Sequence, residues 1–204
     1  EFVTIYNAGN IKENSNWIGR RTNAFLSDVN IQFVKTNISE SLSLDKEPEI
    51  YNSYPRNDEI IKIAESAYRY SRFFNDPYLP KSKASKISLH WTECAFNQKE
   101  KYFVIEKKGE EIAGYILFSV NEAEHTLVIE LIAVDEKFRG EHVGRSLISV
   151  IELFCNENGY RGIRVGTQAD NIFAIQFYFS CGFKYMSCNS VYHLWSDSNY
   201  INSL

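Results

Sequence analysis

The chain of 204 residues is long enough for one domain with a full hydrophobic core, or for one domain with a small appendage. Its apolar fraction of 44% and charged fraction of 24% are typical of globular proteins, and its net charge of −4 lacks the basic excess of a nucleic-acid-binding surface. Neither an apolar run of the roughly 18–20 residues that span a bilayer nor a signal-peptide pattern is present. We therefore expect no nucleic-acid partner, no membrane association and a cytoplasmic location. A homodimer is one oligomeric state that the sequence allows.

The four cysteines, at positions 94, 155, 181 and 188, form no C-x-x-C pair and no cluster with histidine. We therefore expect neither a zinc site nor a disulfide framework. Cys94 and Cys155 lie within apolar helical patterns, which predicts that both thiols are buried.

Residues 1–50 are polar and rich in Asn and Ser, but the runs Phe2–Tyr6 and Val29–Val34 alternate as strands do. They predict a small β-rich appendage over residues 1–50, with the main domain over residues 51–204 and a boundary near 48–56, where two prolines lie. Because the chain begins with Glu-Phe rather than methionine, we expect the appendage to be truncated or to carry added residues.

The main domain shows a clear change of hydrophobic period. Apolar residues at helical spacing predict two helices, after which alternating or continuous apolar runs predict strands separated by further helices. The predicted elements are helices at 58–70 and 81–96, strands at 101–107, 111–120 and 126–134, a helix at 144–158, a strand at 162–167, a helix at 171–181 and one or two strands over 183–195. This order predicts the α+β class, with a mixed sheet flanked by helices.

The most informative feature is the transition from the predicted strand ending at Val134 to the helix starting near Gly144. The chain breaks at Asp135–Phe138 and passes through Arg139-Gly140 before the helix begins. N–H groups of a first helical turn have no partner within the helix, and the helix dipole adds partial positive charge there. The segment therefore predicts a site for the phosphate of a cofactor.

The element order and two motifs resemble the GCN5-related N-acetyltransferases. The motifs are Arg139-Gly-Glu-His-Val-Gly144, in which the family's middle glycine is replaced by His142, and Asn171-Ile-Phe-Ala-Ile-Gln-Phe-Tyr178-Phe-Ser-Cys-Gly-Phe183. The resemblance covers about 57–195. A narrower similarity to dTDP-fucosamine acetyltransferase-like enzymes rests on the segment 70–80, Trp91, Arg164-Val-Gly-Thr-Gln168 and Tyr192-His-Leu-Trp195. Such enzymes acetylate the amine of a nucleotide-linked deoxyamino sugar, and they carry a small N-terminal domain.

The resemblance implies that acetyl-CoA is bound. Backbone groups of Leu131, Ile132, Ala133 and Val134 would pair with the pantetheine arm, and N–H groups of Arg139, Gly140, Glu141, His142, Val143, Gly144 and Arg145 would hold the pyrophosphate. Asn171 would contact the cofactor arm, with capping of the following helix as its alternative role. His142 either shifts the turn or faces outward and contributes its N–H alone. Arg145 either balances phosphate charge or is solvated.

The resemblance also implies a general acid, Tyr178, that protonates the departing sulfur, although packing is an alternative role for this side chain. Glu130 is the candidate general base, acting through a water, unless it turns to solvent or a neighbouring cation. The four histidines are rival candidates.

Arg72, Phe73, Tyr78 and Trp91 are the predicted acceptor-binding residues, because aromatic faces suit a sugar or base and arginine suits a phosphate. A position in the core is the alternative role for Phe73. The alternatives to an amino-sugar acceptor are another small amine, a protein N-terminus, or a non-catalytic acyl-CoA-binding module.

Overall fold

The computed structural model describes residues 1–38, 49–67 and 70–195. Its centre is one eight-stranded sheet, in which every neighbouring pair is antiparallel except β6 and β7. The strands are β1 (Phe2–Asn7), β2 (Phe25–Lys35), β3 (Ile50–Asn52), β4 (Tyr102–Lys108), β5 (Glu111–Asn121), β6 (Thr126–Val134), β7 (Ile163–Gln168) and β8 (Lys184–Trp195). Their spatial order is β1-β8-β2-β7-β6-β5-β4-β3. The α+β class predicted from the sequence is confirmed.

Helices cover both faces of this sheet. The five helices among the described residues are α1 (Lys12–Arg21), α2 (Asp58–Ala67), α3 (Lys81–Ala95), α4 (Val143–Glu157) and α5 (Ile172–Ser180). The apolar stripe of α4, which includes Leu147 and Ile151, forms one core with α5 and the sheet. A second core on the opposite face joins α2 to the end of α3 and the central strands. None of these helices is long and apolar enough to cross a membrane.

The N-terminal strands belong to the same sheet as the rest of the domain. β1 pairs with β8, and β2 lies between β7 and β8, with Phe33 buried against the α5 side of the core. The β-rich character predicted for residues 1–50 is thus present, but the strands do not form a separate appendage. The N-terminal segment joins the main sheet because β7 and β8 do not pair with each other. β2 lies between them and supplies the backbone hydrogen-bond partners that their facing edges would otherwise lack.

A bulge in β6 reverses which side chains face each core. Leu117 of β5 pairs with Leu131, whereas its neighbour Phe118 pairs with Ile129, so Glu130 is left over between them. An extra residue of this kind changes the alternation of a strand. Leu127 and Ile129 face the α4 core, but Ala133, also odd-numbered, faces the α2 core.

Two local predictions were wrong. Residues 12–21 form a helix within the segment that was expected to be β-rich, and its single buried side chain, Ile18, gives only a weak periodic signal. Cys155 is buried as predicted, but Cys94 is exposed, with its sulfur 3.3 Å from Nε2 of His90. Cys94 lies on the solvent side of α3, which a periodic pattern of mixed polarity does not distinguish from the buried side.

Candidate active site

A cavity lies where β6 and β7 diverge, in the middle of the sheet. The two parallel strands pair only from Leu127–Ile163 to Ile129–Val165. Beyond this point the strands diverge, and a cavity of about 560 Å³ lies between residues 130–134 of β6 and residues 165–168 of β7. The four residues predicted to pair with pantetheine, Leu131 to Val134, all line it. An extended ligand could therefore add to the β6 edge as a strand does.

The turn between β6 and α4 brings two left-handed residues to the start of the helix. Asp135 accepts a hydrogen bond from the Lys137 N–H at 2.9 Å, and Gly140 has a φ of +86°. His142 precedes α4 with a φ of +62°, a conformation that a residue with a Cβ adopts at a cost. The histidine thus adopts a backbone conformation that glycine reaches without strain, and its exposed side chain does not cap the helix.

Close packing of α4 on α5 explains why Gly144, the last residue of the motif and the second residue of α4, is glycine. A Cβ on Gly144 would lie 3.2 Å from two ring carbons of Phe177, and both residues line the cavity. Val143 is buried in the core, so this residue can offer a ligand only its backbone. The start of α4 therefore presents backbone groups, rather than side chains, to the cavity.

The two arginines of the turn differ in their surroundings. Arg139 lines the cavity and forms an exposed ion pair with Glu136 at 3.3 Å. Arg145 instead donates hydrogen bonds to the backbone oxygen and Oγ of Ser180, at 3.2 and 3.3 Å. Arg145 therefore stabilises the carboxyl end of α5. Glu141 is exposed and lies 3.9 Å from the Lys108 ammonium.

Tyr178 and Asn171 both lie on the α5 side of the cavity. The Tyr178 ring packs between Phe33 and Phe183, with ring centroids 5.6 and 5.7 Å away. Burial raises the pKa of the Tyr178 hydroxyl above its usual value, so the hydroxyl keeps its proton at neutral pH. Asn171 caps α5 by accepting from the Ala174 N–H at 3.2 Å and donates to Oγ1 of Thr167 at 3.2 Å. Both residues combine a structural role with a place at the cavity.

Glu130, at the β6 bulge, lines the cavity but is already paired. Its carboxylate forms an ion pair with Lys101 and accepts a hydrogen bond from Oγ of Ser119 at 2.6 Å. The pairing with a neighbouring cation is the alternative role that the sequence left open.

Only part of the predicted acceptor site lies at the cavity. Trp91 lines it and is 44% exposed, whereas Phe73 is buried among Trp91, His193 and Phe2. The Arg72 guanidinium stacks over Phe73 and Trp91, at 4.6 and 5.5 Å from the ring centroids. Tyr78 packs against Phe25 at 5.6 Å. Phe73 is thus a buried residue, whereas Tyr78 is half-buried, and neither lines the cavity.

The sequence did not single out Ser71 and Gln168 as site residues, although both line the cavity. It also missed a buried cluster in which Nδ1 of His193 lies 2.7 Å from Oδ2 of Asp76, which also accepts from Nε1 of Trp195 at 3.1 Å. Burial lowers the pKa of His193, so the imidazole is neutral at physiological pH. This cluster anchors residues 70–80, which precede α3, to β8. Contacts of this kind join residues more than 100 positions apart and leave no local sequence signal.

Comparison with known proteins identifies the family of this fold. The model of the acetyltransferase (GNAT) family matches residues 58–183, which include the diverging strands, the turn and α5. The chain belongs to the GNAT family of acetyltransferases.

The individual curated relatives have low sequence identity to this chain. The chain is 26% identical over 155 residues to the spore coat polysaccharide biosynthesis protein SpsD of Bacillus subtilis (strain 168), covering 74% of this chain and 53% of that protein. It is 24% identical over 121 residues to the N-acetylaspartate synthetase of Mus musculus, covering 53% of this chain and 40% of that protein. The chain thus spans about half the length, or less, of these curated relatives.

Solved structures share the GNAT fold. A functionally unknown conserved protein from Staphylococcus epidermidis ATCC 12228 superposes with a TM-score of 0.65 at 15% identity, over 95% of this chain and 72% of that one. The similarity extends over nearly the whole chain and concerns the fold.

Proposed function

We propose that this GNAT protein is an N-acetyltransferase that moves an acetyl group from acetyl-CoA directly to the primary amine of a nucleotide-linked deoxyamino sugar. Membership of an acetyltransferase family supports the acyl transfer. The relative from Bacillus subtilis, named for spore coat polysaccharide biosynthesis, supports a sugar acceptor.

The observation that carries the proposal is the divergence of β6 and β7 next to a helix N-terminus. Residues 131–134 would pair with the pantetheine amides along the open strand edge. The backbone N–H groups at the start of α4 would bind pyrophosphate oxygens, with Arg139 as the charged partner at the same cavity. The two subsites adjoin because the turn follows directly from the end of β6.

The reaction forms a carbon–nitrogen bond at the thioester carbonyl and breaks the carbon–sulfur bond. An ammonium substrate must lose one proton before it attacks and a second as the amide forms, and the sulfur must gain one as it leaves, so each turnover releases one net proton. Tyr178 would protonate the sulfur, because its hydroxyl keeps its proton and the residue lines the cavity. Glu130 would accept a proton through a water at the cavity, where its carboxylate also pairs with Lys101.

The acceptor would bind where Trp91 lines the cavity. Trp91 is 44% exposed, and the Arg72 guanidinium lies 5.5 Å from the centroid of its ring. Aromatic faces pack against the apolar face of a sugar ring or against a base. An acceptor that is a small amino acid is the second candidate, supported by the name of the mouse relative.

The first experiment separates binding from turnover. CoA is expected to raise the melting temperature of the protein, and a dTDP-linked aminodeoxyhexose is expected to be acetylated faster than aspartate or an N-terminal peptide. The absence of any thermal shift with CoA would contradict the cofactor. A shift without turnover of any of these amines would favour a non-catalytic acyl-CoA-binding module, and preferred turnover of aspartate or the peptide would replace the sugar acceptor.

The acid role of Tyr178 has its own test. Tyr178→Phe is expected to lower kcat by about 10²-fold or more with the Kd for CoA unchanged, because only the proton donor is lost. Tyr185→Phe, at an exposed position of β8, is the matched control. Unchanged kcat in Tyr178→Phe would limit this residue to packing.

A further inference from the structure

The side-chain amide of Gln168 lines the cavity at the end of β7. Gln168 pairs in register with Asn30 of β2, and the N–H of the next residue, Ala169, donates to the Val29 oxygen at 2.8 Å. These contacts hold the end of β7 against β2. They place Gln168 beside Asp28, a residue of the N-terminal strand outside the segment matched by the family model.

The carboxylate of Asp28 is placed to orient the Gln168 amide. Asp28 is only 7% exposed and lies two residues from Asn30, the β2 partner of Gln168, and hydrogen bonding by the Gln168 side chain lowers the pKa of Asp28. An ionised carboxylate can only accept hydrogen bonds, so the NH₂ group of Gln168 must be the donor. The carbonyl oxygen of Gln168 is then left to accept a hydrogen bond from a molecule in the cavity.

The charges around Asp28 make this orientation dependent on pH. Burial, and secondarily the nearby Asp170 carboxylate, raise the pKa of Asp28 to about 6, against the opposing effects of Gln168, the Val29 N–H and Arg72. Asp28 is therefore ionised at neutral pH. Below about pH 6 the carboxyl gains a proton and can donate, so the amide is no longer held in one orientation.

Ser71 points independently to a ligand in the same cavity. Its side chain is buried, it lines the cavity, and its Oγ has no hydrogen-bond partner among the described residues. Oγ of Ser27 donates to the backbone oxygen of the next residue, Arg72, at 2.7 Å, which ties this loop to the strand that carries Asp28. A buried hydroxyl without a partner is costly unless a ligand satisfies it.

We propose that Gln168 and Ser71 form the acceptor subsite, in which the Gln168 carbonyl oxygen accepts an N–H of the acceptor amine and Asp28 is the positioning residue that fixes the amide. The inference rests on the proposed acetyl transfer. One N–H held in this way fixes the direction of the nitrogen lone pair, and the Ser71 hydroxyl is available to a neighbouring hydroxyl or ring oxygen. The subsite therefore suits an amine on an oxygenated ring.

A double-mutant cycle tests whether Asp28 acts through Gln168. With a dTDP-linked aminodeoxyhexose as the probe, Asp28→Asn and Gln168→Met are each expected to raise the KM for the amine about 10-fold, as loss of one hydrogen bond predicts, with the KM for acetyl-CoA unchanged. The double variant should be no worse than Gln168→Met alone. Additive losses, or equal changes in both KM values, would overturn the proposal. Asp58→Asn, on the exposed start of α2, is the matched control.

The pH dependence supplies a second kinetic readout. In the wild type, the KM calculated for the neutral form of the amine, which removes the protonation of the substrate itself, should rise as the pH falls through about 6, and this rise should be absent in Asp28→Asn. A rise that persists in the variant would assign the dependence to another group and contradict the role of Asp28.

NMR spectroscopy gives a test that needs no substrate. The side-chain NH₂ resonances of Gln168 should shift with a midpoint near pH 6 in the wild type and stay constant in Asp28→Asn. Resonances that do not titrate in the wild type would overturn the coupling between the two residues. If the coupling is present but no amine is acetylated, the proposed function and the acceptor role fail together, while the orientation of Gln168 by Asp28 stands.

Discussion

Replacement of His142 by glycine should stabilise this protein, although it removes a side chain. His142 has a φ of +62° and an exposed imidazole at the start of α4. A Cβ in the left-handed region clashes with the adjacent backbone, and glycine avoids this clash. The histidine makes no capping hydrogen bond that would be lost.

The expected change in the free energy of unfolding is the difference between two opposing contributions. Relief of the left-handed conformation contributes about 1–2 kcal/mol. The greater freedom of glycine in the unfolded chain costs roughly 0.4–1 kcal/mol. The midpoints of these two ranges leave a net gain of about 0.8 kcal/mol, which corresponds to a rise in Tm of roughly 2–3 °C for a chain of this size.

His142→Ala is the matched variant, because it also removes the imidazole but keeps the Cβ. Urea unfolding at equal protein concentration should give the glycine variant a higher free energy of unfolding than both the wild type and His142→Ala. Equal stability of the glycine and alanine variants would refute the strain, since only glycine relieves it. Destabilisation of both would show instead that the imidazole contributes to the fold.

Three further predictions concern the turn, the sheet and the buried acid. His142→Asp should weaken CoA binding about 5–10-fold at low ionic strength relative to His142→Asn, measured by calorimetry, because both tolerate the backbone but only Asp repels a pyrophosphate. Gly114→Ala should lower the free energy of unfolding by about 1–3 kcal/mol, because the new Cβ would lie 2.8 Å from the Ala133 oxygen, whereas Gly19→Ala, with no atom within 4 Å of the added Cβ, should not destabilise. Asp28→Asn should be more stable than the wild type by about 3 kcal/mol above pH 6, as followed by thermal melting across pH.

The sign of the last prediction follows from the pKa of Asp28. The folded state raises this pKa from 3.8 to about 6, so it binds the proton more tightly than the unfolded state does. Ionised Asp28 therefore destabilises the fold at higher pH, and the advantage of Asn should decline from pH 6 and vanish below about 3.8. An advantage that is constant with pH would contradict this linkage.

For the turn, equal CoA affinities of the Asp and Asn variants would place the pyrophosphate elsewhere, and a neutral effect of Gly114→Ala would show that β5 and β6 can separate.

The elements of the main domain could be predicted from the sequence because their signals are local. The apolar stripe of α4 repeats at helical spacing, and β6 reads as an apolar run that ends where the structure ends it, at Val134. The turn before α4 was recognisable from Arg139, Gly140 and Gly144, since glycines at a strand-to-helix transition are themselves a local feature. The positions of Tyr178 and Asn171 followed from the motif on α5.

Only the tertiary structure decided the surroundings of these residues. The insertion of β2 between β7 and β8 depends on pairing across at least 128 residues, which a periodic pattern does not encode. That insertion brings Asp28 to Gln168, and the fold likewise brings Lys101 to Glu130. The sequence by itself determined the helices, the strands and the turn between residues 58 and 195, because each arises from neighbours along the chain, but it did not indicate α1. Which carboxylate is paired, and which amide faces the cavity, depended on distant segments meeting in one sheet.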